Sequence, residues 1–331
     1  MCGHIRMLWP TNALIAEGDN EVICTRKLFS GLPTTHYYIQ RCAQKKMFDV
    51  FPSLQGKKII EFDDMIFRLY GEELPSYNFC KAAFDIDEAT RDLKNGLHLV
   101  DKVTVSTDFL KKAFIDNFGY DRVEVIPNML PRHIYNFGRV QKKVSDIVTP
   151  RVVYAGGLTH YGQDGNDTGD FSKPIIEFLR NNIDKIELVF VGTVPWFLED
   201  LKSKIISLPF VSLLQFPRLL RELNADFYLA PLKESVFNKC KSNLKYLEAC
   251  SMGAVCIGSA FDDSPYSMIT PHCKIEHQMT AKNIEYVFWE LCKANNWNEI
   301  IDHQYDYINS MWLENNIMRY ASLLDMERVK I

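Results

Sequence analysis

Apolar and polar positions along the chain fall into two alternating periods. Short β-branched or aromatic runs occupy residues 21–25, 36–39, 58–62, 102–106 and 122–127, separated by amphipathic stretches such as residues 107–118. Strands joined by helices of this length need crossover connections, which give a parallel sheet with helices on both faces. The first half is therefore predicted to be an open α/β domain. Residues 136–150 interrupt the pattern: they are polar and lightly charged, with Gly138 near the start and Pro150 at the end, as suits an interdomain linker. The alternation then restarts, with strand candidates at 151–155, 186–191, 211–215, 227–230 and 254–257, so a second domain of the same class is expected. The last stretch, 308–328, reads as one helix with Met311, Trp312, Ile317, Tyr320 and Leu324 as its buried stripe, suited to packing back on the first domain. The expected division is 1–147, 148–307 and 308–331.

Composition narrows the partners. With 331 residues and 47% hydrophobic content, the chain is long enough for two cores. Its formal charge is −4; residues 1–150 carry 20 Lys+Arg against 19 Asp+Glu, and the remainder 18 against 23. A generally basic surface is excluded, and a nucleic-acid partner would need a local patch. The nine cysteines show no CxxC spacing, and the opening residues lack the charged-then-apolar pattern of a secretory signal, so reduced thiols in a cytoplasmic protein are expected. No apolar run approaches the roughly 18 residues of a bilayer span.

In open α/β sheets ligands bind where strand carboxyl ends meet helix N-termini, so two facing domains imply a cleft. The segment 227–258 is the most informative. A strand ends at Ala230-Pro231-Leu232, a polar loop follows, and Ser242 or Asn243 caps a helix that runs past Glu248 to Met252 before Gly253. Free N–H groups and the helix dipole favour an anion at that start, and Lys241 and Lys245 add point charges. Glu248, one to two turns farther in, is placed to accept hydrogen bonds from ribose hydroxyls. Spacing alone describes an ordinary capped amphipathic helix equally well.

Three weaker constellations accompany it. A strand at 152–155 runs into Gly156-Gly157, then Leu158-Thr159-His160; glycine admits close approach of a phosphate or sugar, although a tight turn has the same signature. The following residues, 161–170, are rich in Gly, Asp and Asn and read as a mobile solvated loop rather than a metal cluster. Glu61-Phe62-Asp63-Asp64 closes a first-domain strand. Its paired carboxylates can orient a hydroxyl, act as a base or hold a divalent metal, with helix capping as the plain alternative. The amino terminus supplies Cys2-Gly3-His4-Ile5-Arg6, followed by Pro10.

The pattern F-N-x-x-K-S-x-L-K-x-L-E-x-x-x-x-G-x-V, starting at Phe237, closely resembles the donor-binding helix of retaining nucleotide-sugar glycosyltransferases with the GT-B fold, of the family 4-like phage and bacterial type. The resemblance implies two Rossmann-like domains around a cleft and a C-terminal crossing helix. It implies transfer of a hexosyl or pentosyl group from a nucleotide diphosphate sugar to an acceptor hydroxyl, with retention and without a metal or other cofactor. Glu248 then falls at the ribose, and Lys241, Ser242 and Asn243, with Lys245 beside them, at the diphosphate. Gly156 and Gly157 match the first glycine loop of the donor domain. His160 recurs in phage and bacterial relatives and joins Asp63 and Asp64, on the acceptor side, as a catalytic candidate. Gly3 and Arg6 resemble the family's first loop, which approaches the donor phosphates, here without the strand that normally precedes it. The I-P-N turn at 126–128 resembles an element that shapes the cleft. One departure stands out: many relatives carry two glutamates separated by seven residues, and Cys240 occupies the first of those positions, leaving Glu234 as the nearest carboxylate. The acceptors compatible with the resemblance are a glycan, a lipid-linked sugar, a protein or the hydroxymethylated bases of phage DNA. A non-catalytic nucleotide-sugar binding protein is the alternative, and a monomer or a homodimer is compatible with either.

Overall fold

A computed structural model describes residues 3–18, 22–26, 28, 31, 33–68, 86–139, 148–162, 167–293 and 297–326. The β-branched runs form two sheets whose pairings are all parallel. The first contains β1 (His36–Gln40), β2 (Lys57–Phe62), β3 (Lys102–Val105) and β4 (Val123–Val125), in the order β1-β2-β3-β4. Period-two alternation sends Ile60 and Phe62 into one core with Leu110 and Phe114, and Ile59 into the other with Trp9 and Ile126. The helix Asp108–Phe118 opens on Thr107, whose hydroxyl accepts from the Leu110 N–H at 3.1 Å, and ends on Gly119 at φ 64°.

The second sheet contains β5 (Arg151–Gly156), β6 (Glu187–Gly192), β7 (Ile206–Leu208), β8 (Phe227–Ala230), β9 (Val255–Ala260) and β10 (Lys274–Glu276), in the order β10-β9-β8-β5-β6-β7. The chain runs outward from β5 to β7, then returns to β8 on the other side of β5, where Val152 pairs with Phe227. That reversal is a topological switch point, and it opens a crevice at the carboxyl ends of β5 and β8.

Three expected elements differ. Residues 22–25 form no strand, and Glu21 lies outside the described residues. Residues 211–215 are a loop and turn leading into the helix Phe216–Leu223. The edge strand is β7, which like β10 alternates over only three residues, too few to mark a strand in the sequence. The helix expected at 308–328 is two helices, Trp297–Ser310 and Leu313–Leu323; residues 327 and 328 lie outside the described residues. The break falls where Trp312 is buried and bridges to Leu130, with the Leu313 N–H donating to the Leu130 carbonyl at 2.9 Å. Leu313–Leu323 packs against the helix Trp9–Ala16, Tyr320 meets Tyr38 edge-on, and Glu314 accepts from the Arg132 N–H at 2.8 Å. Among the described residues no helix is long and apolar enough to cross a membrane.

Candidate functional site

The crevice between β5 and β8 is built on one buried carboxylate. Asp170 Oδ2 accepts from His160 Nδ1 at 2.7 Å and lies 3.4 Å from Lys241 Nζ. Its Oδ1 accepts from Asn238 Nδ2 at 2.7 Å and from the Lys233 N–H at 3.3 Å, and its own N–H donates to the His160 carbonyl at 2.9 Å. One side chain therefore ties the loop after β5 to the loop after β8. Burial alone would raise the Asp170 pKa, but Lys241 and the hydrogen bonds from His160 and Asn238 hold it far below the usual carboxylate range.

The two ends of the stretch expected as a mobile loop, 161–170, are packed rather than solvated. Tyr161 is buried and donates to the Thr193 carbonyl at 2.9 Å, and Asp170 precedes the fully buried Phe171; residues 163–166 lie outside the described residues. Among the described residues no three His, Cys, Asp or Glu side chains are grouped to hold a metal ion.

The helix Leu244–Met252 starts at this crevice and stops at Gly253, φ 68°. Asn243 occupies the N-cap position, but its amide turns away and donates to Tyr307 Oη at 2.7 Å. Lys245 Nζ donates to the Ala155 carbonyl at the end of β5 and lies 4.7 Å from the centre of the Tyr154 ring; burial lowers its pKa. Glu248 is buried deeper, with Tyr228 Oη donating to Oε2 at 2.7 Å. Burial raises its pKa, against the pull of Lys245 and that hydrogen bond. Gly156 has a local cause: a Cβ there would sit 2.4 Å from the Tyr154 hydroxyl, while Gly157 is extended at φ −91°.

His160 is held neutral. Burial, then Lys241 and Lys245, push its pKa from 6.5 down to about 4, against Asp170. The unfolded chain takes up this proton near pH 6.5, whereas the folded chain does so only near 4, so stability falls as the pH drops through that window. The expected loss is at most about 3.5 kcal/mol, at ~1.4 kcal/mol per pKa unit. Urea denaturation from pH 7 to 4 should show this slope, and His160→Gln should flatten it.

Across the crevice, Arg41 follows β1 in the left-handed region at φ 52°, its N–H donating to the Glu61 carbonyl at 2.8 Å. Its guanidinium spans the acidic pair, Nε to Asp63 Oδ1 at 3.0 Å and Nη2 to Asp64 Oδ2 at 3.1 Å. The Asp63 side chain is 5% exposed and the Asp64 side chain 34%, so Asp64 is the carboxylate that reaches outward. Burial and the neighbouring Asp63 raise the Asp64 pKa, while Arg41 and Lys241 oppose them.

The seam between the halves runs through residues 240–242. Cys240 is buried with Sγ 3.9 Å from Met65 Sδ, and its carbonyl accepts from Thr107 Oγ1 at 3.1 Å. The thiol is packing. The nearby Glu234 pairs instead with Lys239 at 3.3 Å. Ser242 Oγ accepts from Asn128 Nδ2 at 2.7 Å, which gives the I-P-N turn a direct hold on the segment 240–242.

Arg6, expected at the donor phosphates, lies in the interior. Its Nε donates to Glu61 Oε1 at 2.7 Å, and its Nη1 to the Ile126 carbonyl at 2.5 Å and to Asn128 Oδ1 at 3.3 Å. Its link to Ser242 runs through Asn128. Gly3 is exposed near Gln40. Asp170, Arg41 and Asn128 carry the network and were not singled out as site residues in the sequence.

No sequence-family model matches the chain, and no curated protein matches it by sequence. Solved structures do match in fold. TarM superposes with a TM-score of 0.60 at 10% identity over 87% of this chain and 54% of its own, so this chain spans about half of that protein. HepE from Anabaena, in complex with UDP, gives 0.59 at 12% identity over 88% and 78% of the two chains. A glycosyltransferase from Rickettsia africae gives 0.56 at 14% identity over 87% and 76%. The two parallel sheets, the switch-point crevice and these superpositions define a GT-B fold with two Rossmann-like domains.

Proposed function

We propose that the protein transfers a sugar from a nucleotide diphosphate sugar to an acceptor hydroxyl. The observation that carries this reading is the cluster at the crevice: Lys241 and Lys245, from the start of the helix Leu244–Met252, place their amines at Asp170 and at the end of β5, with the Glu248 carboxylate farther in and Asp64 facing from the other domain. A helix N-terminus beside two ammonium groups suits a diphosphate, and a carboxylate deeper in suits ribose hydroxyls. HepE has been solved with UDP and with UDP-glucose, and S. aureus TarM with UDP and alpha-GlcNAc-glycerol, which supports the same ligand class here.

In this reading the bond between the anomeric carbon and the diphosphate breaks, and the departing oxygen keeps the electron pair. Lys241 and the helix start stabilise the growing charge. The acceptor oxygen bonds to the anomeric carbon from the face the diphosphate leaves and gives up its proton to Asp64 as the base, so the product retains the anomeric configuration. The fixed cations neutralise the diphosphate in place of a divalent metal. Gly157 and Ser242 line the donor side, and closure of the halves aligns the reactants and excludes water.

Lys241→Ala is expected to weaken UDP-glucose binding about 10- to 100-fold, the range of one charge-assisted hydrogen bond. Calorimetric titration checks this, with circular dichroism as the control for folding. Wild-type affinity in both Lys241→Ala and Glu248→Ala would sink the assignment.

A further inference from the structure

We infer that His160 reads a hydroxyl of the donor's sugar through Nε2, with Asp170 as the positioning residue that makes that nitrogen an acceptor. The inference rests on the donor-binding reading above. An ionised carboxylate only accepts, so the 2.7 Å contact places the ring proton on Nδ1 and leaves a lone pair on Nε2. The His160 side chain is 21% exposed whereas Asp170 is sealed, and Nε2 has no partner among the described residues. The ring has little freedom to turn over. Asp170 is fixed by Asn238, the Lys233 N–H and Lys241, and the Tyr154 ring stands edge-on 6.5 Å from the imidazole.

This geometry separates two roles that the same residue type could fill. A phosphate oxygen is itself an acceptor, so an Nε2 lone pair facing it is repulsive, and Lys241 and Lys245 already serve the anion. A sugar hydroxyl is a donor and suits the lone pair. The neutral state persists at working pH because burial and the two lysines disfavour the imidazolium.

The test compares UDP with UDP-glucose as probes, by calorimetry. His160→Ala should lose about tenfold more on UDP-glucose than on UDP, the scale of one hydrogen bond, with circular dichroism showing that it is folded. His160→Gln, which keeps an acceptor oxygen, should recover most of that loss. Nitrogen-15 spectra should show the Nδ1–H tautomer of His160 in the wild type and its loss of dominance in Asp170→Asn, a signature that a purely structural Asp170 would not move. Equal losses on UDP and UDP-glucose, no loss on either, or an Nε2–H or charged ring in the wild type would each refute the role of His160 while leaving donor binding intact. Failure of the wild type to bind either probe would take down the donor reading and this inference together.

Discussion

Asp170→Ala is expected to lower the free energy of unfolding by about 3–5 kcal/mol, because removing one member of a buried charge network leaves the others desolvated without their counter-charge. Asp170 is almost fully buried, and its two oxygens face His160, Lys241, Asn238 and the Lys233 N–H. The substitution also unties the loop after β5 from the loop after β8, so UDP-glucose binding should weaken with stability. Asp170→Asn should recover part of the loss, since an amide oxygen still accepts from Asn238 and the Lys233 N–H. Urea denaturation of the three proteins at pH 7 measures this; a loss below about 1 kcal/mol in Asp170→Ala would mean that the network is not what holds the crevice.

The second large effect is on turnover. Asp64→Asn should lower kcat for sugar transfer about 100- to 10 000-fold, the span of a lost general base, while leaving the Kd for UDP-glucose within about twofold. Asp64 is the outward member of the pair and Asp63 the inward one. Arg41 bridges both, so the amide keeps one oxygen for Nη2 and the fold survives. Release of UDP from UDP-glucose with water as acceptor gives the assay before an acceptor is known. Turnover within threefold of wild type would remove Asp64 from the chemistry.

The fold was legible where burial follows periodicity. Residues 58–62, 102–106, 151–155 and 227–230 alternate or run apolar because sheet faces are covered, and they became β2, β3, β5 and β8. The edge strands β1 and β4 were legible, but β7 was not: it is three residues long with residues open to solvent, while 211–215, with Val211, Leu213 and Leu214, places the exposed Leu214 in a turn. The strand, loop and helix of 227–258 were legible because an apolar strand end, a polar loop and a helix stopping at Gly253 are adjacent in sequence, although no side chain caps that helix. What the sequence hid is pairing at long range. Arg6 carries the same charge wherever it lies, and only Glu61, 55 positions away, explains why it turns inward. Asp170 looked like one more loop carboxylate, because Asn238 and Lys241 reach it across 68 and 71 positions. Cys240 could be seen to lack a carboxylate, but not to belong to the packing of the other domain.

The most direct measurement is a crystal structure of the protein with UDP. The diphosphate should lie at the start of the helix Leu244–Met252, with a phosphate oxygen about 2.7–3.2 Å from Lys241 Nζ, the ordinary hydrogen-bond range, and a ribose hydroxyl on Glu248. A diphosphate seated elsewhere, or a crevice that stays empty at millimolar UDP, would contradict the account.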